Sequence, residues 1–132
     1  MAETRSERVV KKFFKTLSSG DLERLRKLLH ENAVWTVMAI GIPGAGEKKG
    51  HHQIIDEFLQ PARAMFAPGD PKIHLDRVIS KGPVVAVEAR GIGKFKDGKD
   101  YNNRYAFMIE VKGDKVLALK EYMDSYYIST LV

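Results

Sequence analysis

The chain has 132 residues, 44% of them hydrophobic and 30% charged, with 22 basic against 17 acidic side chains for a net charge of +5. That length fits one domain over residues 1–132 that buries roughly two-thirds of its unfolded surface, and the balance excludes a disordered tail. The absence of cysteine excludes disulfides, thiolate metal sites and cysteine nucleophiles, so the fold must rest on its apolar core.

Met1 to Leu17 is charged throughout and lacks the apolar stretch of a secretory signal, and no apolar run is long enough for a membrane span. This reads as a cytoplasmic protein with no membrane partner. Within that stretch Thr4 and Glu7 have capping-box spacing, and Val9, Val10, Phe13, Phe14 and Leu17 recur at helical intervals between Lys11, Lys12 and Lys15. Ser18-Ser19-Gly20-Asp21 stops that helix and caps a second, carried by Leu22, Leu25, Leu28 and Leu29. Basic residues are densest on these two helices, where they read as solvated faces, and no nucleic-acid partner is expected. Ala33 to Ile40 reads as a buried strand running into a glycine-rich loop, Gly41 to Gly50. The loop misses both phosphate-binding patterns, because Glu47 stands where a P-loop needs lysine and Gly44, Gly46 and Gly50 miss the dinucleotide spacing. A flexible flap beside a pocket is the expectation there, with no cofactor.

His52 to Phe66 fits a third helix kinked or divided by Pro61. The period then changes to that of strands over Lys72 to Ser80, Pro83 to Phe95, Tyr101 to Val111 and Lys115 to Tyr127. Lys96-Asp97-Gly98-Lys99 and Lys112-Gly113-Asp114-Lys115 supply hairpin turns with glycine where positive φ is needed. The fold class is therefore α+β: a curved, mostly antiparallel sheet wrapped as a cone around three N-terminal helices.

This order, together with Ser18-Ser19-Gly20-Asp21-Leu22, Glu88-Ala89-Arg90-Gly91, Asp100-Tyr101-Asn102-Asn103-Arg104-Tyr105 and Lys120-Glu121-Tyr122-Met123-Asp124, resembles the nuclear transport factor 2-like superfamily. That superfamily includes ketosteroid isomerase, polyketide cyclases and limonene epoxide hydrolase, and the motifs are most similar to its ketosteroid isomerase-related, SnoaL-like proteins. The resemblance implies the cone fold and a homodimer formed through the sheet. It gives shape before function.

Strand alternation puts Glu88 and Arg90 on one face, which would enter the pocket if that face were concave. By resemblance to limonene epoxide hydrolase, Glu88, Arg90 and Glu121 fall where that enzyme carries an arginine and two aspartates, and only Glu121 keeps an acid in place. The general-base aspartate of ketosteroid isomerase falls near Val37 and its oxyanion tyrosine near Phe13, neither able to do that work. Glu121, Arg90 and Tyr105 are therefore the candidate catalytic residues, with Glu121 moving a proton and Arg90 or Tyr105 stabilising oxyanion charge. A buried ion pair of Arg90 with Glu88 or Glu121 is the plainer alternative. Trp35, Glu88 and Asn103 are candidate ligand-binding residues, Trp35 as a pocket wall and Asn103 sharing a strand face with Tyr105. His51 and His52 splay apart at a helix start, with His30 and His74 scattered, so no metal site is expected. Asp124 should face solvent or a dimer partner, as should Tyr122, Tyr126 and Tyr127.

The functional expectation is a pocket for a small, apolar or amphipathic molecule carrying a polar group, weakly catalytic or only binding. The alternatives are a cofactor-independent isomerase, polyketide cyclase or epoxide hydrolase, and a protein interaction module using the sheet face or cone mouth.

Overall fold

Thr4 begins the first helix. Its hydroxyl accepts the Glu7 amide at 3.1 Å, and α1 then runs over Arg5–Ser19. The computed structural model describes residues 2–132. Gly20, at φ 82°, ends α1 by returning its N–H to the Leu17 carbonyl, and Asp21 at once caps α2 (Leu22–Leu28) by accepting the Arg24 amide at 3.0 Å. A stop and a start within two residues fold α2 back and leave one face of α1 free for the sheet.

Six strands follow: β1 (Leu29–Val37), β2 (Gly46–Lys49), β3 (Lys72–Lys81), β4 (Val84–Lys94), β5 (Asp100–Lys112) and β6 (Lys115–Met123). Their order across the sheet is β2-β1-β6-β5-β4-β3, with β1 and β6 parallel and every other pair antiparallel. The sheet is mixed, curved and unclosed. Val10, Phe13, Phe14 and Leu17 of α1 fill its concave side against Val85, Val87, Phe107, Ile109 and Leu119. Tilted aromatic pairs line that contact, with ring centroids 4.8 Å apart for Phe14 and Phe107 and 6.0 Å for Phe13 and Trp35. Among the described residues no helix is long and apolar enough to cross a membrane.

Four local features differ from the sequence expectations. β1 begins at Leu29, which pairs with Val116 across a register shift, and ends at Val37. The glycine-rich segment is not loop throughout, because Gly46–Lys49 pairs with Val34 to Val37 as the sheet's edge strand. The third helix opens as a π-helical stretch, His52–Leu59, and tightens into α3, Gln60–Ala64. The change of period falls at Pro61, which lies inside this continuous helix and has no N–H to give the preceding turn. Finally, β6 stops at Met123 and Asp124 caps a last helix, α4 (Ser125–Ser129), by accepting the Tyr127 amide at 3.0 Å. Asp124 is thus spent on a cap. Tyr127 turns inward, its hydroxyl accepting the Asn102 amide at 3.1 Å, whereas Tyr122 and Tyr126 are exposed.

Candidate functional site

Alternation along β6 sends Leu119, Glu121 and Met123 to the concave side, while Lys120 and Tyr122 face out. At that end of the cone the helices do not fill the space. A cavity of about 180 Å³ remains, walled by Trp35, Val37, Phe58, Tyr105 and Phe107, and among the described residues Glu121 and Arg63 are the charged side chains that line it.

Glu121 is buried, and its Oε1 accepts the indole N–H of Trp35 at 2.9 Å. Among the described residues no second hydrogen bond reaches the carboxyl group, which leaves Oε2 to the cavity. Burial penalises the ionised form and pushes the carboxyl up to about 7, although the Trp35 hydrogen bond and the Lys48 charge both pull it down. A carboxyl poised near neutrality can give or take a proton under ordinary conditions.

Lys48 reaches the site from β2, the strand within the glycine-rich segment. Its ammonium donates to the carbonyls of Gly44 and Gly46 and lies 4.6 Å from the Phe58 ring centroid. These bonds hold Ile42, Pro43 and Gly44 against the cavity mouth, and partial burial lowers the lysine's proton affinity. The other side of the mouth is formed by the C-terminal segment, through Ile128 and Val132.

The opposite wall carries a chain of hydroxyls on β5. The Asn103 side-chain amide donates to the Tyr101 hydroxyl at 3.1 Å, and the Tyr101 and Tyr105 hydroxyls are hydrogen-bonded to each other. Either hydroxyl can donate in that bond, and the one that accepts keeps its proton for a ligand oxygen. Burial raises both phenols, Tyr105 well above its ordinary value, so each stays a neutral donor. Gly91 of β4 makes room for the pair: a Cβ there would lie 2.8 Å from Cε2 of Tyr105 and 3.4 Å from that of Tyr101.

Residues 10–119 match the SnoaL-like domain family, well over half of the chain. The chain belongs to that family. Solved structures agree on the fold. A nuclear transport factor 2-like (NTF2-like) protein from Burkholderia xenovorans is 25% identical, with 98% of this chain and 97% of that one covered and a TM-score of 0.78. One from Anabaena variabilis is 27% identical over 95% of each chain, TM-score 0.77. An NTF2-like protein of unknown function from Burkholderia pseudomallei, only 15% identical, superposes over 98% of both chains at a TM-score of 0.86. No protein with a curated function matches.

Within this SnoaL-like frame the structure separates the residues that the sequence grouped. Trp35, Tyr105 and Glu121 meet at the cavity. Asn103 is fully buried behind Tyr105, supporting Tyr101, and its Oδ1 accepts the Arg104 amide at 2.8 Å. Glu88 and Arg90 are a correction. They share a face, but it is the convex one: Val85, Val87 and Ala89 take the inward positions of β4. Outside, Arg90 grips Asp76 with three hydrogen bonds of 2.9–3.1 Å, and Glu88 sits 4.0 Å from Arg77. The expected ion pair of Arg90 with Glu88 or Glu121 is therefore absent among the described residues. The histidines are dispersed, His51 bonding the Leu29 carbonyl and His52 the Asp56 carboxylate. No group of three metal-ligating side chains gathers among the described residues.

Sequence reasoning missed Lys48, Arg63 and Tyr101. Tyr101 was accessible to it, since alternation puts Tyr101, Asn103 and Tyr105 on one face. Lys48 and Arg63 were not, because the first depends on an edge pairing and the second on where the divided third helix lies.

Proposed function

We propose that this SnoaL-like protein binds a small, largely apolar molecule in the cavity and that Glu121 exchanges a proton with it, without a cofactor. The observation that carries the reading is the one buried carboxyl among the described residues, held by Trp35 and open on its other oxygen, in a largely apolar wall that also presents tyrosine hydroxyls. The volume sets the size class. About 150 Å³ suffices for benzene in an engineered cavity, so about 180 Å³ suits one ring with a short substituent, and a fused-ring ligand would extend through the mouth between Pro43 and Val132.

The chemistry follows from the groups. Ionised Glu121 takes a proton from carbon next to a carbonyl, the C–H pair moves into the carbonyl as an enolate, and Tyr105 donates a hydrogen bond to the oxygen. Return of the proton from Glu121 to another carbon completes an isomerisation, and attack of the enolate carbon on a second carbonyl, with the Glu121 proton passing to the new alkoxide, completes a cyclisation. Epoxide hydrolysis is less favoured, because Arg90 and Glu88 lie outside the cavity.

A screen of small enones, aryl ketones and epoxides by thermal shift tests the reading, followed by hydrogen–deuterium exchange at the ligand's α-carbon. Hits should bind wild type and Glu121→Gln alike, while exchange falls at least a hundredfold in the variant. Equal exchange rates in both proteins would remove the catalytic half of the proposal.

We infer further that a second copy of the chain covers the convex face of the sheet. Ile79, Met108 and Tyr122 are exposed there, around a shallow groove that also contains Arg77 and Glu88. An apolar centre ringed by charges of both signs is self-complementary under a two-fold axis.

A further inference from the structure

Arg63 lines the cavity together with Leu17, Ala62, Pro71 and Ile73, its Nη2 lying toward Gly20 at the end of α1. It is half-buried, and its guanidinium makes one hydrogen bond, from Nη1 to the Pro71 carbonyl at 3.3 Å. Five N–H donors on a planar fork are made for more than that. The other folded-back arginines find acids: Arg26 bonds Asp56 and Glu23, and Arg90 bonds Asp76. Among the described residues no carboxylate lies within 4.0 Å of Arg63. Asp70, whose charge does bear on it, directs Oδ2 to the Lys94 amide at 3.0 Å. Burial weighs against the guanidinium charge, so an anion arriving from the cavity would gain from it.

We propose that Arg63 receives the carboxylate of the cavity's ligand, which makes the substrate a small aryl or alkenyl carboxylate whose reacting carbon lies toward Glu121. The proposal rests on the reading of Glu121 given above. A carboxylate fits better than a phosphate: one guanidinium offers the two parallel N–H bonds a carboxylate takes, whereas a dianion would meet apolar walls on its remaining sides. The two ends are also suitably apart. Glu121 is on β6 and Pro71 leads into β3, with β5 and β4 between them. At about 4.8 Å per strand the uncurled sheet separates them by roughly 14 Å, and curling shortens the distance. A ring with a short unsaturated chain bridges that interval, its carboxylate at Arg63 and its other end toward Glu121.

The test compares trans-cinnamate with its neutral isostere cinnamamide, by isothermal titration at pH 6, in wild type, Arg63→Gln, Arg63→Lys and Lys48→Gln. Wild type should bind cinnamate at least tenfold more tightly than cinnamamide. Arg63→Gln should erase that preference while cinnamamide affinity stays within about twofold, and Arg63→Lys should keep part of it. Equal or better binding of cinnamamide by wild type overturns the assignment, a result that needs no variant to fold. A preference that survives Arg63→Gln and disappears in Lys48→Gln overturns it too, by moving the carboxylate to Lys48. Cinnamamide binding without an acid preference would leave the Glu121 reading standing, whereas failure of both compounds to bind would take down both.

Discussion

Trp35 and Glu121 stand 86 positions apart in the chain and 2.9 Å apart in space, joined by one indole N–H bond. The parallel pairing of β1 with β6 makes this possible. It sets Val37 opposite Glu121 and Trp35 opposite Leu119, so that an indole on β1 leans along its strand to the carboxyl on the next. An indole nitrogen only donates, so the bond favours the ionised carboxylate and restrains what burial would otherwise do. Trp35→Phe should therefore raise the Glu121 midpoint above its value of about 7. A lost hydrogen bond to a charged group is worth about 1.5–3 kcal/mol, or roughly one to two pH units. Lys48→Met should move the midpoint the same way by less, since its pull acts through space. Carboxyl-carbon NMR titration reads both; a midpoint that stays put in Trp35→Phe would mean the bond does not form in solution.

The same carboxyl ties stability to pH. Its folded value of about 7 exceeds the ordinary 4.5, so between those limits the folded state holds a proton that the unfolded state has released. The contribution is complete below about pH 4.5 and is lost as pH rises through 7, amounting to about 3 kcal/mol. Asp56, Asp76 and Glu7 work in the opposite direction, their depressed carboxyls losing stability only as pH falls below their ordinary range. Denaturant unfolding at pH 5 and pH 8 should show wild type losing stability relative to Glu121→Gln over that interval. Parallel curves for the two proteins would contradict a buried carboxyl with a raised midpoint.

Much of the fold could be read from the chain because its signals are local. The Thr4 cap, the Gly20–Asp21 stop and start, and the Gly98 and Gly113 hairpins each act over a few residues, and all occur where the sequence puts them. The site was read less well, because it depends on which side of the sheet is concave. Alternation correctly paired Glu88 with Arg90, yet period two cannot say which face curves inward. The residues that alternate with them on β4 could have, since Val85, Val87 and Ala89 make an unbroken apolar row that must be buried. Glu121 had the reverse problem: a lone acid between Leu119 and Met123 reads as an exception to the core until Trp35 is known to meet it. Helix α4 was hidden by the tyrosines after Asp124, which suit a strand as well as a helix.

Tyr105 offers a sharper test of the hydroxyl chain. Tyr105→Phe keeps the ring stacked on Phe107, 5.5 Å between centroids, and removes only the donor. Binding of hits should change little, while α-carbon exchange should fall by about a hundredfold or more, the scale expected for loss of one oxyanion donor. Gly91→Ala should act on the same group from behind. The new methyl would meet the Tyr105 ring at 2.8 Å, a displacement expected to lower stability by about 1–3 kcal/mol. Ligand affinity should fall with it. An unchanged melting temperature and affinity in Gly91→Ala would show that Tyr105 is not held where the close approach demands.

The convex face separates its two roles by mutation. If Arg90 and Glu88 only decorate it, Arg90→Ala and Glu88→Ala should leave ligand affinity and α-carbon exchange as in wild type, since neither side chain reaches the cavity. Their melting temperatures should move little, because exposed ion pairs contribute weakly. Met108→Glu attacks the same face at its apolar centre, placing a carboxylate beside Ile79 and Tyr122. In the proposed homodimer the two-fold axis brings each such charge close to its own copy, so sedimentation should show dimers for wild type and monomers for the variant. The monomer should still bind cavity ligands, because Trp35, Tyr105 and Glu121 all come from one chain and face the other side of the sheet. A wild type that sediments as a monomer at high concentration would leave the exposed Ile79, Met108 and Tyr122 without the partner proposed for them. Loss of ligand binding on dissociation would instead mean that the cavity's shape depends on the second copy.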